Sequence, residues 1–157
     1  MGNGSVIRPG DVQVMSAGTG VMHSEFNPSN SEQTNLFQLW IFPKENGIKP
    51  RYDQKTFSVD GRKNAIQTVA SGFRKNGELY IHQDAALSLS NPEKGKNISY
   101  VVNKSGNGVY VMVIKGSVEI NGETLKKRDA IGISDMEKFE IVPLEDSELL
   151  IVEVPMR

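Results

Sequence analysis

The segment "GVYVMVIKGSVEINGETLKKRDAIGIS", residues 108 to 134, constrains the fold more than any other part of the chain. Val118 and Ile120 alternate with polar neighbours, which is the period of a strand with one face buried. Asn121-Gly122 follows, and this dipeptide supplies the two positive φ angles of a two-residue hairpin turn. Val109 to Ile114 is apolar throughout and predicts a strand buried on both faces. A chain that contains this hairpin is committed locally to antiparallel β structure.

The rest of the sequence repeats that signal, and helical periodicity is scarce. "SVIRPGDVQVMSAG" reads as strand, turn and strand, with Pro9-Gly10-Asp11 at the turn. "GVMHSEFN" reads as a further strand, and "TNLFQLWIFP" as a long apolar strand that stops at Pro43. "KENGIKPRYDQKTFSVDGRKN" is polar, carries Pro50, and reads as an irregular connector with one short helix. Strands resume at "AIQTVAS", "GELYIHQDAALSLSN", "NISYVVN", "KFEIVP" and "SELLIVEVP". Many short strands separated by turns predict an all-β sandwich or barrel. "GNGSVIRPGDVQVMS" and "NGETLKKRDAIGIS" each place an Arg close before an Asp and then a short apolar strand, which suggests an internal duplication with two β-sandwich units.

Composition excludes several kinds of chemistry. The 157 residues include no cysteine, so this chain offers no disulfide, thiolate nucleophile, zinc-thiolate site or iron–sulfur ligand. The formal net charge of -1 gives no reason to expect a nucleic-acid or anionic-membrane surface. Lys126-Lys127-Arg128 is the one basic clump, and it reads as a solvated turn. The opening "MGNGSVIRPGD" shows no apolar signal region and no membrane-spanning run, so a reducing cytoplasm is the expected setting.

The chemistry-bearing stretch is "SAGTGVMHSEFN", residues 16 to 27. On a strand, His23 and Glu25 point to one face, because side chains at i and i+2 align. An imidazole and a carboxylate together suit a divalent first-row metal. The same pair also reads as a surface His–Glu contact, or as a histidine hydrogen-bonded inside a barrel. Two side chains are too few for a tight site, which ordinarily takes three or four protein ligands and keeps a position open for substrate.

The wider context "GDVQVMSAGTGVMHSEFN" resembles the second sequence motif of the cupin superfamily. Gly10-Asp11, Gly18, His23 and Asn27 fit that pattern; Ser16 stands where the motif has proline, and two extra residues lie between Gly18 and His23. The variant "SAGTGVMHSE" resembles that of pirins, a family built of two cupins. The resemblance continues through "LWIFP", "YIHQDAAL", "GVYVMVIKGSVEING" and "RDAIGIS".

That resemblance implies a bicupin (double-stranded β-helix, or jelly-roll) fold with an incomplete N-terminal cupin. Residues 1–45 would be the C-terminal part of that cupin, 46–64 a connector, and 65–157 a second, degenerate cupin. In the family the metal lies in the first cupin, held by an H-x-H pair, a later histidine and a glutamate. His23 and Glu25 match the last two. "MGNG" matches the end of the first cupin motif, so Met1 falls inside a domain and the chain looks like a pirin without its N-terminal strands.

His82, the only other histidine, stands in the strand that opens the second half and is expected to be packed or solvent-facing rather than a ligand. Tyr110 to Ile114 occupy the place of metal-binding histidines in the second cupin, which is therefore expected to be structural.

The resemblance further implies quercetin 2,3-dioxygenase-type chemistry in the full-length family member. Its cofactor would be a divalent metal, usually iron, and its substrate a flavonol-like small molecule. Glu25 would be the acid–base residue as well as a ligand, and His23 the metal anchor. Met15, Phe26 and Phe37 are apolar candidates for a pocket lining, though core packing is the commoner role for such residues. With half of the ligands present, weak or absent metal binding and no turnover are expected of this chain. Open sheet edges predict a homo-oligomer through the N-terminal strands. The competing implication is a non-enzymatic regulator that binds a transcription factor or enzyme partner.

Overall fold

A computed structural model describes residues 4–73 and 77–156, and among these the regular structure is nearly all strand. The reading of "MGNG" rests mostly on Met1 to Asn3, which lie outside the described residues. Strands in chain order are β1 (Asp11–Ser16), β2 (Arg51–Thr56), β3 (Ile66–Ser71), β4 (Leu79–Tyr80), β5 (Ala86–Ser90) and β6 (Ile98–Val101). They continue with β7 (Asn107–Lys115), β8 (Ser117–Ile120), β9 (Glu123–Lys126), β10 (Ala130–Ile133), β11 (Lys138–Pro143) and β12 (Glu148–Pro155). One short 3-10 turn, Val59–Arg62, leads from β2 towards β3; the Ser58 hydroxyl caps it by accepting from the Asp60 N–H.

Two sheets make the sandwich. One runs β10-β7-β12-β5-β3-β4 and the other β6-β11-β8-β9. The face between them is built by alternation. Val109, Val111 and Val113 of β7 and Leu149 and Ile151 of β12 meet Ile98, Tyr100, Val118, Ile120, Phe139 and Ile141 from the smaller sheet. Asn121 and Gly122 hold φ angles of 51° and 82°, and Ile120 pairs with Glu123, so the hairpin read from the sequence forms in the expected register. β7 departs from expectation. Only its odd-numbered side is in the core, while Tyr110 is exposed and Met112 and Ile114 are half-buried. β7 has ladder neighbours on both edges but a second sheet over one face only.

A two-stranded antiparallel ribbon, β1-β2, packs on this sandwich. Val12 and Val14 form its inner face and join Phe57, Val69, Ala70, Leu79, Ile81, Leu87 and Leu89 in a second apolar cluster. The stretch 51–56 lacks an apolar run and so read as connector, yet it pairs with β1 from Asp11↔Thr56 to Ser16↔Arg51. Residues 5–8, expected as a strand before the Pro9-Gly10 turn, form none. The turn itself is present, with the Asp11 N–H donating to the Arg8 carbonyl at 2.9 Å.

The larger departure is the arm between β1 and β2. "GVMHSEFN" and "TNLFQLWIFP" are not strands, and residues 17–50 carry no ladder. Strand propensity needs a neighbouring backbone to be realised, and among the described residues no strand lies alongside the arm. Its apolar side chains stay outside: Phe26 is 84% exposed, Trp40 85% and Phe42 86%. Among the described residues the complete unit is the sandwich, and residues 4–56 contribute a ribbon and an arm, which agrees with a first cupin that is incomplete. The base of the arm is closed at Gly18, which has φ +54° and sits so close to the Ile48 carbonyl that a Cβ there would collide with it.

The sandwich also buries a carboxylate. Glu153 of β12 has no exposed surface, and its two oxygens accept from Tyr100 Oη (2.8 Å), Asn103 N (2.9 and 3.0 Å), Asn103 Nδ2 (2.7 Å), Lys104 N (3.2 Å) and Asn107 Nδ2 (2.9 Å). Burial, and then the neighbouring Glu153 charge, push the Tyr100 phenol well above its ordinary pKa, so this phenol stays a donor. Glu153→Ala leaves several buried donors unmatched and is expected to cost about 3 kcal/mol or more. Tyr100→Phe removes one donor and is expected to cost about 1 kcal/mol. Urea unfolding of the two variants checks both the order and the gap.

Candidate functional site

β1 carries the site residues into place through its register. Asp11, Gln13 and Met15 alternate with the inward Val12 and Val14, and stand opposite Thr56, Gln54 and Tyr52 on the outer face of the ribbon. The chain then leaves the ladder at Ser16, turns through Gly18 and Gly20, and runs into His23 and Glu25. Both residues are exposed. His23 and Glu25 do not share a strand face as expected, because this segment forms no strand. What places Glu25 is a hydrogen bond in which Gln13 Nε2 donates to Glu25 Oε1. Asn27 ends the motif in a tight turn: its Oδ1 accepts from the Ser29 N–H at 3.1 Å and its Nδ2 donates to the Glu32 carbonyl at 2.6 Å.

Imidazole nitrogen and carboxylate oxygen are donor types that a divalent first-row metal accepts. The residues thus fit such an ion in kind. In number they are two, and among the described residues no group of three or more His, Asp or Glu side chains is placed to hold one. The proposed pocket lining does not assemble either: Met15 is half-buried on the ribbon, while Phe26 and Phe37 are exposed.

His82 is half-buried and lies close to the end of β1 despite its distance along the chain. Its Nδ1 is 3.4 Å from Ser16 Oγ, and its ring meets Tyr80 edge-on with centroids 4.8 Å apart. The loop that follows it holds the far side of the arm. The Lys44 N–H donates to the His82 carbonyl at 2.8 Å, and Gln83 Nε2 donates to the Phe42 carbonyl at 2.9 Å. Asp84 takes Lys44 on one oxygen and Lys104 on the other, each at 2.6 Å. Lys104 and Lys44, both donating to the carboxylate, bring Asp84 down to about 2. None of Gln13, Tyr52, Asp84 and Glu153 was marked by the sequence as special, because their roles depend on cross-strand register and on loop packing between distant segments.

The family model described as quercetinase C-terminal cupin domain matches residues 68–154, and the model described as pirin matches residues 1–41. The quercetin 2,3-dioxygenase of Escherichia coli (strain K12) is 39% identical over 156 residues, covering 99% of this chain and 65% of that protein. A pirin-like protein of Caulobacter vibrioides is 39% identical over 154 residues, with 98% and 66% covered. The crystal structure of a bacterial pirin from Escherichia coli in complex with nickel(II) superposes with a TM-score of 0.85 at 39% identity, over 93% of this chain and 62% of that one.

The fold and the matches define a cupin protein. The chain belongs to the pirin family, and it spans 65% and 66% of the length of the curated relatives named here.

Because the folded pKa of Asp84 is depressed, its contribution to stability is present above the ordinary carboxylate value of 3.8 and is lost as pH falls through about 2. Asp84→Asn is expected to remove that part of the acid-side decline. Thermal unfolding of both proteins between these pH values checks it, and the difference should shrink in high salt.

Proposed function

We propose that this chain carries the histidine–glutamate half of a pirin-type metal site. The proposed activity of the whole protein is quercetin 2,3-dioxygenase-type oxidation of a flavonol-like substrate. The observation that carries the reading is the His23/Glu25 pair, set by the "SAGTGVMHSE" motif at the exit of β1, in a chain 39% identical to a quercetin 2,3-dioxygenase. His23 and Glu25 would hold a divalent first-row metal, which would supply Lewis-acid polarisation and orientation of the substrate oxygen. Glu25 takes the proton of the substrate hydroxyl. Gln13 keeps that carboxylate at the end of the ribbon.

With two donors the metal stays largely hydrated, so this chain by itself binds metal weakly and turns over no flavonol. The exposed apolar residues of the arm support a further part of the reading, in which a second copy covers Phe26, Trp40 and Phe42. That surface is also what a regulatory role through a protein partner would use.

Quercetin consumption, followed by absorbance with added divalent metal, tests the enzymatic part. The expected result is no turnover above metal alone and no change with His23→Ala or Glu25→Ala. Turnover that depends on either side chain would show that the chain completes a working site.

A further inference from the structure

We propose that Gln13 is a positioning residue for the Glu25 carboxylate; this rests on the reading of His23 and Glu25 as metal ligands. Glu25 lies on a segment outside any ladder, so its own backbone does little to orient it. Gln13 is different. It sits mid-strand in β1, paired with Gln54, and its neighbours Val12 and Val14 are packed into the apolar cluster beneath the ribbon. The bond from Gln13 Nε2 to Glu25 Oε1 therefore ties an irregular segment to a fixed one.

The orientation of the amide follows from donor accounting. A glutamine donates only from Nε2 and accepts only at Oε1. An ionised carboxylate only accepts, so the Gln13 amide turns Nε2 to Glu25, and its Oε1 lies 3.2 Å from Tyr52 Oη. Tyr52 has one proton and a second acceptor, Gln54 Oε1, at 2.5 Å. The nearer acceptor takes that proton, and Ser5 Oγ, 2.8 Å from Tyr52 Oη and 3.2 Å from Gln54 Oε1, joins the same cluster. Gln54 is held in turn, since its Nε2 donates to Asp11 Oδ2 at 2.9 Å and to the Val6 carbonyl at 3.1 Å. On the outer face Tyr52 and Gln54 thus flank Gln13, and the Gln13 amide donates to Glu25. With Oε1 engaged, Oε2 is the oxygen left to take a cation or a proton. Outer partners of this kind orient metal ligands and tune their affinity.

The test uses the isotope-labelled full chain and nickel(II) alone as the probe. NMR reads the Gln13 side-chain amide pair and the nickel-induced broadening at His23 and Glu25. Glu25→Gln is expected to shift the Gln13 amide signals. Gln13→Leu is expected to weaken nickel binding by about tenfold. Gln13→Glu should weaken it at least as much, because it removes the donor and sets a like charge against Glu25, and Tyr52→Phe should weaken it less.

Thermal stability should stay close to wild type for Gln13→Leu; a merely structural role would lower it and leave nickel affinity unmoved. The proposal is overturned if His23→Ala weakens nickel binding and Gln13→Leu does not. If His23→Ala has no effect, it is the metal reading that fails. The response of the Gln13 amide to Glu25→Gln then decides the positioning role alone: a shift upholds it and no shift overturns it.

Discussion

A carboxylate with no exposed surface has to be met by donors from the protein itself, and Glu153 is met almost entirely by one loop. Burying a charge without such partners is costly, so the segment Asn103 to Asn107 is held in one arrangement by the need to satisfy it. That constraint extends outward. Asn107 Nδ2 also donates to the Asp84 carbonyl at 2.9 Å, and Lys104, whose N–H serves Glu153, reaches the Asp84 side chain. Asp84 and its neighbours His82 and Gln83 then hold the arm at Phe42 and Lys44. A continuous polar path thus links the centre of the sandwich to the arm that carries His23 and Glu25.

The sandwich was legible in the sequence because its signals are local. Asn121-Gly122 needs only its own φ angles, and the alternation of Val118 and Ile120 needs only a face to bury. The strands of residues 66–155 follow from such patterns. The ribbon was less legible. "RYDQKT" has no apolar period, and its place in a sheet comes from pairing with β1 rather than from its own composition. The arm was misread for the opposite reason. "TNLFQLWIFP" has a strong strand pattern, but a strand is a relation between two backbones, and the described chain offers it no neighbour.

The candidate site divides the same way. His23 and Glu25 stand out because the motif around them is distinctive within a few residues. Gln13 and Tyr52 do not, since their relation depends on a register spanning the whole arm. Met15 faces outward on the ribbon and Phe26 and Phe37 lie open, so the apolar lining expected around the pair is absent from the described residues. On the proposed reading the chain presents a candidate ligand pair, of which Glu25 is held by Gln13.

The most direct measurement is metal content by elemental analysis of the purified chain, taken with its mass in solution by light scattering. The account predicts well under one metal per chain, in a particle larger than a monomer. One tightly held metal per chain in a monomer would contradict it, because the missing donors would then have to come from this polypeptide.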